Sequence, residues 1–115
     1  MHLWKQEMRE MEALCAWFPG DRQACAQARD GMAMIFRVYL RDPRRAIVLS
    51  NGVLSEFPDQ PESRAGALLT KAEAFRDLRD EPQSRDAYNE IVRLYGAIEW
   101  ARNAAEQRLQ ELDRQ

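Results

Sequence analysis

Two kinds of chain break alternate along this sequence at one shared spacing, and that spacing restricts the fold more than any single residue does. An aromatic residue followed by proline or glycine closes a segment at Phe18-Pro19, Phe57-Pro58 and Tyr95-Gly96, 38 to 39 residues apart. An acid followed by proline restarts the chain at Asp42-Pro43 and Glu81-Pro82, again 39 residues apart. Ala33 and Phe36 return at the same interval as Ala72 and Phe75. A period of this length marks a repeated supersecondary unit that buries its apolar face only by stacking on its neighbours.

The segments between breaks have helical periodicity. Residues 3–18 place Trp4, Met8, Met11, Cys15 and Phe18 on one stripe, in steps of four and three. Residues 22–40 align Ala24, Ala28, Met32, Ile35, Phe36 and Tyr39, and residues 43–57 carry Ala46, Leu49, Val53, Leu54 and Phe57. Residues 62–79 line up Ala65, Leu68, Leu69, Ala72, Phe75 and Leu78. Residues 83–95 carry Ala87, Ile91, Leu94 and Tyr95, and residues 97–112 carry Ile98, Ala101, Ala105, Leu109 and Leu112. Alternation of period two never persists, and good helix formers dominate. Asp21 and Asp42 suit N-caps, Pro43 suits the first helical position, and Gly20 suits a left-handed helix stop. Gly52, inside a helical segment, is expected to weaken that helix and to admit a close neighbour. The expectation is an all-α fold of about six antiparallel helices in one domain, 1–115, with hairpins at about 3–40, 43–79 and 83–112.

Residues 43–112 resemble tetratricopeptide repeats, and are most similar to the longer-period form of bacterial envelope and Tol–Pal-associated proteins. The resemblance rests on Glu56-Phe57-Pro58-Asp59-Gln60-Pro61, on Ala65 and Ala72-Glu73-Ala74-Phe75, on Ala87 through Gly96, and on Ala101 to Leu109. The sequence departs from that family in its period, in Lys71-Ala72 where Leu-Gly is usual, and in Gly96 where proline is usual. The resemblance implies a right-handed solenoid that acts as a protein-binding scaffold or adaptor, with segments 22–40, 62–79 and 97–112 lining a concave groove. Polar residues beside the buried stripes would then face a ligand: Arg29, Arg37, Lys71, Arg76 and Arg102. All five are basic, which points to an acidic or carboxylate-terminal peptide or helix.

Composition narrows the function further. Seventeen basic and 19 acidic residues nearly cancel, leaving a net charge of −2. That balance provides no broad basic field for a nucleic-acid backbone. The single histidine, His2, and the two cysteines leave no metal-ligand set, catalytic triad or acid–base relay, and no glycine-rich phosphate loop is present. Neither an enzyme nor a cofactor is expected. Asp59, Glu62, Asp80 and Glu81 fall near helix starts, where carboxylates offset the dipole. Cys15 and Cys25, each five residues from Gly20, face one another if the first hairpin forms, but two small buried side chains are the favoured reading over a bridge. Arg41, Arg44 and Arg45 read as a solvated helix start. Trp17 and Trp100 fall beside the buried stripes, and Trp100, on the terminal helix, is the stronger candidate for an interface anchor.

Two other uses stay open. The Met-, Leu- and Trp-rich first helix could be covered in a homodimer, making the chain an oligomerising structural module. A helical nucleic-acid regulator would use Arg102, Asn103, Gln107 and Arg108, although Glu106 and Glu111 interrupt that face. No apolar run approaches membrane-spanning length. The start lacks signal-peptide character, so the chain as it stands is expected in the cytoplasm, or in the periplasm if a leader has been removed.

Overall fold

The structure is a computed structural model that describes residues 3–114. It contains six helices: α1 (Leu3–Trp17), α2 (Arg22–Val38), α3 (Pro43–Glu56), α4 (Pro61–Asp77), α5 (Glu81–Tyr95) and α6 (Glu99–Asp113). No strand occurs among the described residues. Each connection is three or four residues long, which folds consecutive helices back on one another. The expected boundaries agree with the observed ones to within two residues. Among the described residues no helix is long and apolar enough to cross a membrane.

The chain sets these boundaries by local chemistry. Asp21, Asp42 and Asp80 cap α2, α3 and α5 by accepting from the amides of Ala24, Arg45 and Gln83 at 3.1 to 3.2 Å. Proline opens α3, α4 and α5, where an amide hydrogen would have no helical acceptor. Arg41 and Arg79 sit just past the ends of α2 and α4 with φ of 51° and 60°. They are 38 residues apart and are a second mark of the repeat. Both spend a left-handed conformation on a residue with a side chain, at a cost of roughly 1 kcal/mol each. Gly20 does not take the left-handed form expected of it, because no glycine has positive φ. The turn closes instead through Asp21 N–H donating to the Phe18 carbonyl at 3.0 Å.

Every helix packs on the next, and α4 additionally touches α2 and α6, whereas α1, α3 and α5 do not meet one another among the described residues. The even helices therefore form one layer and the odd helices the other. Overall dimensions of 45 × 33 × 20 Å fit a slab two helices thick. Two core clusters hold the layers together. One gathers Ala65, Leu68, Ala72, Ala87, Tyr88, Ile91, Ala101 and Leu112, and the other gathers Cys25, Ala26, Val53, Phe57 and Ala67. Leu54 borders both.

Helix α4 sits at the centre, and its sequence explains how. Ser63, Ala65, Ala67, Leu68, Thr70, Ala72 and Ala74 are buried and lie on several sides of the helix. Small side chains let four neighbours approach closely. Periodicity alone had suggested a single stripe here. Gly52 also differs from expectation: a Cβ at that position would meet nothing within 4 Å, so no helix approaches it. Cys15 and Cys25 are a disulfide rather than two separate thiols, with Cα atoms 5.0 Å apart. The α1–α2 hairpin brings them into register across its turn.

Candidate functional site: a groove between the even helices

The even-helix layer leaves a cavity of about 370 Å3 among α2, α4 and α6. Its walls are Met34 and Val38 on α2, Leu69 on α4 and Trp100 on α6. Helical spacing explains the α2 and α4 walls: Asp30, Met34 and Val38 lie one turn apart on α2, and Gly66 and Thr70, like Leu69 and Glu73, lie one turn apart on α4. Gly66 is the close approach that assembles the site. A Cβ there would fall 2.5 Å from Asp30 Oδ2 and 3.8 Å from Trp100 Cη2. Any larger residue would force the Asp30 carboxylate to move.

Asp30 stands at the base of this cavity. Thr70 Oγ1 donates to Asp30 Oδ1 at 3.4 Å. Burial among apolar neighbours pushes the Asp30 carboxyl up to about 6, against the smaller opposing effect of Thr70. Its side chain has no ion-pair partner among the described residues.

Beside it runs a ladder of ion pairs across the same layer. Arg37 lies 3.7 Å from Glu73 and 3.6 Å from Asp77. Arg108 contacts both Glu73 and Glu111 at 3.0 Å, and Arg76 reaches Glu111 at 3.2 Å. The hydrogen bond from Arg108 holds the Glu111 carboxyl below its ordinary range. Behind this ladder the Tyr88 hydroxyl is buried with no hydrogen-bond partner. Burial, and then the negative charge of Glu73, push it up to about 12.

The six residues expected to contact a partner are distributed unevenly. Trp100 lines the cavity and is 48% exposed. Arg37 lines it too, but its guanidinium is committed to Glu73 and Asp77. Arg76 is committed to Glu111. Arg29 pairs with Glu56 and lies over the Phe57 ring. Arg102 donates to the Gly96 carbonyl at 3.0 Å. Lys71 lies two turns from Arg64, which donates to the Tyr95 hydroxyl at 2.7 Å and to the Leu54 carbonyl. Lys71 therefore belongs to the side of α4 that turns toward α3 and α5, away from the cavity. The expected basic lining is thus largely engaged by the chain's own carboxylates and carbonyls. The lone histidine, His2, lies outside the described residues.

Sequence reading missed Asp30, Met34, Val38, Leu69 and Thr70. The signal that was present is the Gly66/Thr70 pair of small residues one turn apart, which marks where α2 can come close. Among the described residues no group of three or more metal-ligating side chains is gathered. Comparison of the chain with protein-family models, curated proteins and solved structures finds no match.

Proposed function

We infer that the chain is a non-enzymatic docking module of tetratricopeptide-like build, which holds an extended peptide or helix of a partner protein along the even-helix face. The observation that carries this reading is the open apolar cavity among α2, α4 and α6, with Met34, Val38 and Trp100 about half exposed at its rim. Apolar side chains left open to solvent over a formed groove fit a surface that is covered when a partner binds. The recurring breaks, the two-layer stack and the closeness of the even helices support the repeat reading.

The test is selection of a random dodecapeptide library on the native chain and on Met34→Gln, which removes apolar surface without adding charge. Met34 is 52% exposed, so the substitution alters the groove wall and not the core. Peptides that bind the native chain and are lost on Met34→Gln support the groove. Peptides that bind both chains equally contradict it.

One further observation favours self-association as a second reading. Trp17 and Phe18, at the end of α1, are 78% and 61% exposed, with Leu14 nearby. A homodimer would cover them. Mass measured by light scattering across a concentration series should rise toward twice the monomer value, and Trp17→Ser should abolish the rise; a constant monomer mass removes this reading.

A further inference from the structure

The cavity holds one uncommitted charge. Its other charged lining residues are Arg37 and Glu73, and these are tied to each other and to Asp77 and Arg108. Asp30 is tied only to the Thr70 hydroxyl. A carboxylate among Met34, Leu69 and Trp100 is poorly solvated and lacks a counter-charge, a combination that favours an incoming cation. Trp100 adds an aromatic surface that attracts a cation or a guanidinium plane.

We propose, resting on the docking reading above, that this cavity takes a lysine or arginine side chain of the partner peptide, its cation against Asp30 and its stem along Trp100. The volume of about 370 Å3 falls within the range of roughly 300 to 1,000 Å3 over which protein pockets hold small ligands. Met34 and Val38, half exposed at the rim, continue the apolar surface on α2 away from the charge. The occupant is therefore a chain segment with apolar residues flanking the basic one, not a free amine. Burial pushes Asp30 up to about 6, so its charge is present at pH 7.5 and is the form a cation would relieve.

The experiment takes the peptides selected on the native chain and lost on Met34→Gln, and measures their affinity by calorimetry for the native chain and for Asp30→Asn. Asparagine keeps the shape and removes the charge. The expected result is a shared Lys or Arg with apolar neighbours, and binding at least tenfold weaker to Asp30→Asn or when that residue is exchanged for norleucine. Groove-dependent peptides with no shared basic residue, or bound equally by Asp30→Asn, would overturn the cation assignment and leave the docking groove standing. A library that yields no groove-dependent peptide overturns both.

Discussion

Replacing Asp30 with asparagine should make the protein more stable at neutral pH. The carboxyl has an ordinary value of 3.8 and is pushed up to about 6 in the fold. Between those values the native chain keeps a proton that the unfolded chain has released. Stability from this group is therefore complete below the unfolded value and is lost as pH rises through the folded one. At about 1.4 kcal/mol for each tenfold change, the ionised carboxylate costs the fold up to about 3 kcal/mol at pH 7.5. Residual exposure of Asp30 makes that figure an upper end. Asp30→Asn keeps an oxygen for the Thr70 hydroxyl to donate to and removes the charge. Urea titrations of both chains from pH 7.5 to pH 4.5 should show the variant about 2 to 3 kcal/mol more stable at the upper pH, with about 2 kcal/mol of that advantage gone at the lower. Asp59 and Glu111, whose carboxyls are held low by Arg22 and Arg108, lose stability on acidification in both chains and cancel in the difference. An advantage that does not change with pH, or an asparagine variant that is less stable at pH 7.5, would refute the reasoning.

Four other outcomes follow from the packing. Reduction of the Cys15–Cys25 bridge, which closes a short loop across the α1–α2 turn, should lower unfolding free energy by about 2.5 to 3 kcal/mol on the chain-entropy account, read by urea titration with and without a phosphine reductant. Ser84→Ala should cost about 1 kcal/mol, because the Ser84 hydroxyl donates to the buried Ala72 carbonyl at 2.9 Å; Tyr88→Phe should cost nothing or stabilise by up to about 1 kcal/mol, because the hydroxyl it removes has no hydrogen bond. Gly52→Ala should raise stability by about 1 kcal/mol, since the methyl group meets open space inside α3, and a loss in thermal denaturation would show that the helix needs its glycine.

The architecture was largely legible in the sequence because its signals are local. Acid-Pro pairs and aromatic-Pro or aromatic-Gly pairs, repeated at one interval, mark most of the helix boundaries, and Asp21, Asp42 and Asp80 cap through an amide three residues on. The site was much less legible because its determinants are distant in the chain. Arg108 meets Glu73 across 35 residues, and Thr70 meets Asp30 across 40. Read along α2, Asp30 is the helix's single acid with nothing local to distinguish it, and only Gly66 and Trp100 folding against it make it unusual. The same distance misled the reading of the basic residues. Arg37 and Arg76 look free in sequence, and their carboxylate partners become evident only when α2, α4 and α6 are laid side by side. Arg41 and Arg79 were unreadable for another reason: their left-handed turns occupy positions where glycine is the usual choice.

The docking claim is tested most directly by where a bound peptide lies. A selected peptide carrying a photoreactive residue would be irradiated with the native chain and the adducts located by mass spectrometry. The account predicts adducts on α2, α4 and α6 around Met34, Val38, Leu69 and Trp100. Adducts confined to the outer helices α3 and α5, or to Leu14, Trp17 and Phe18 at the end of α1, would contradict it.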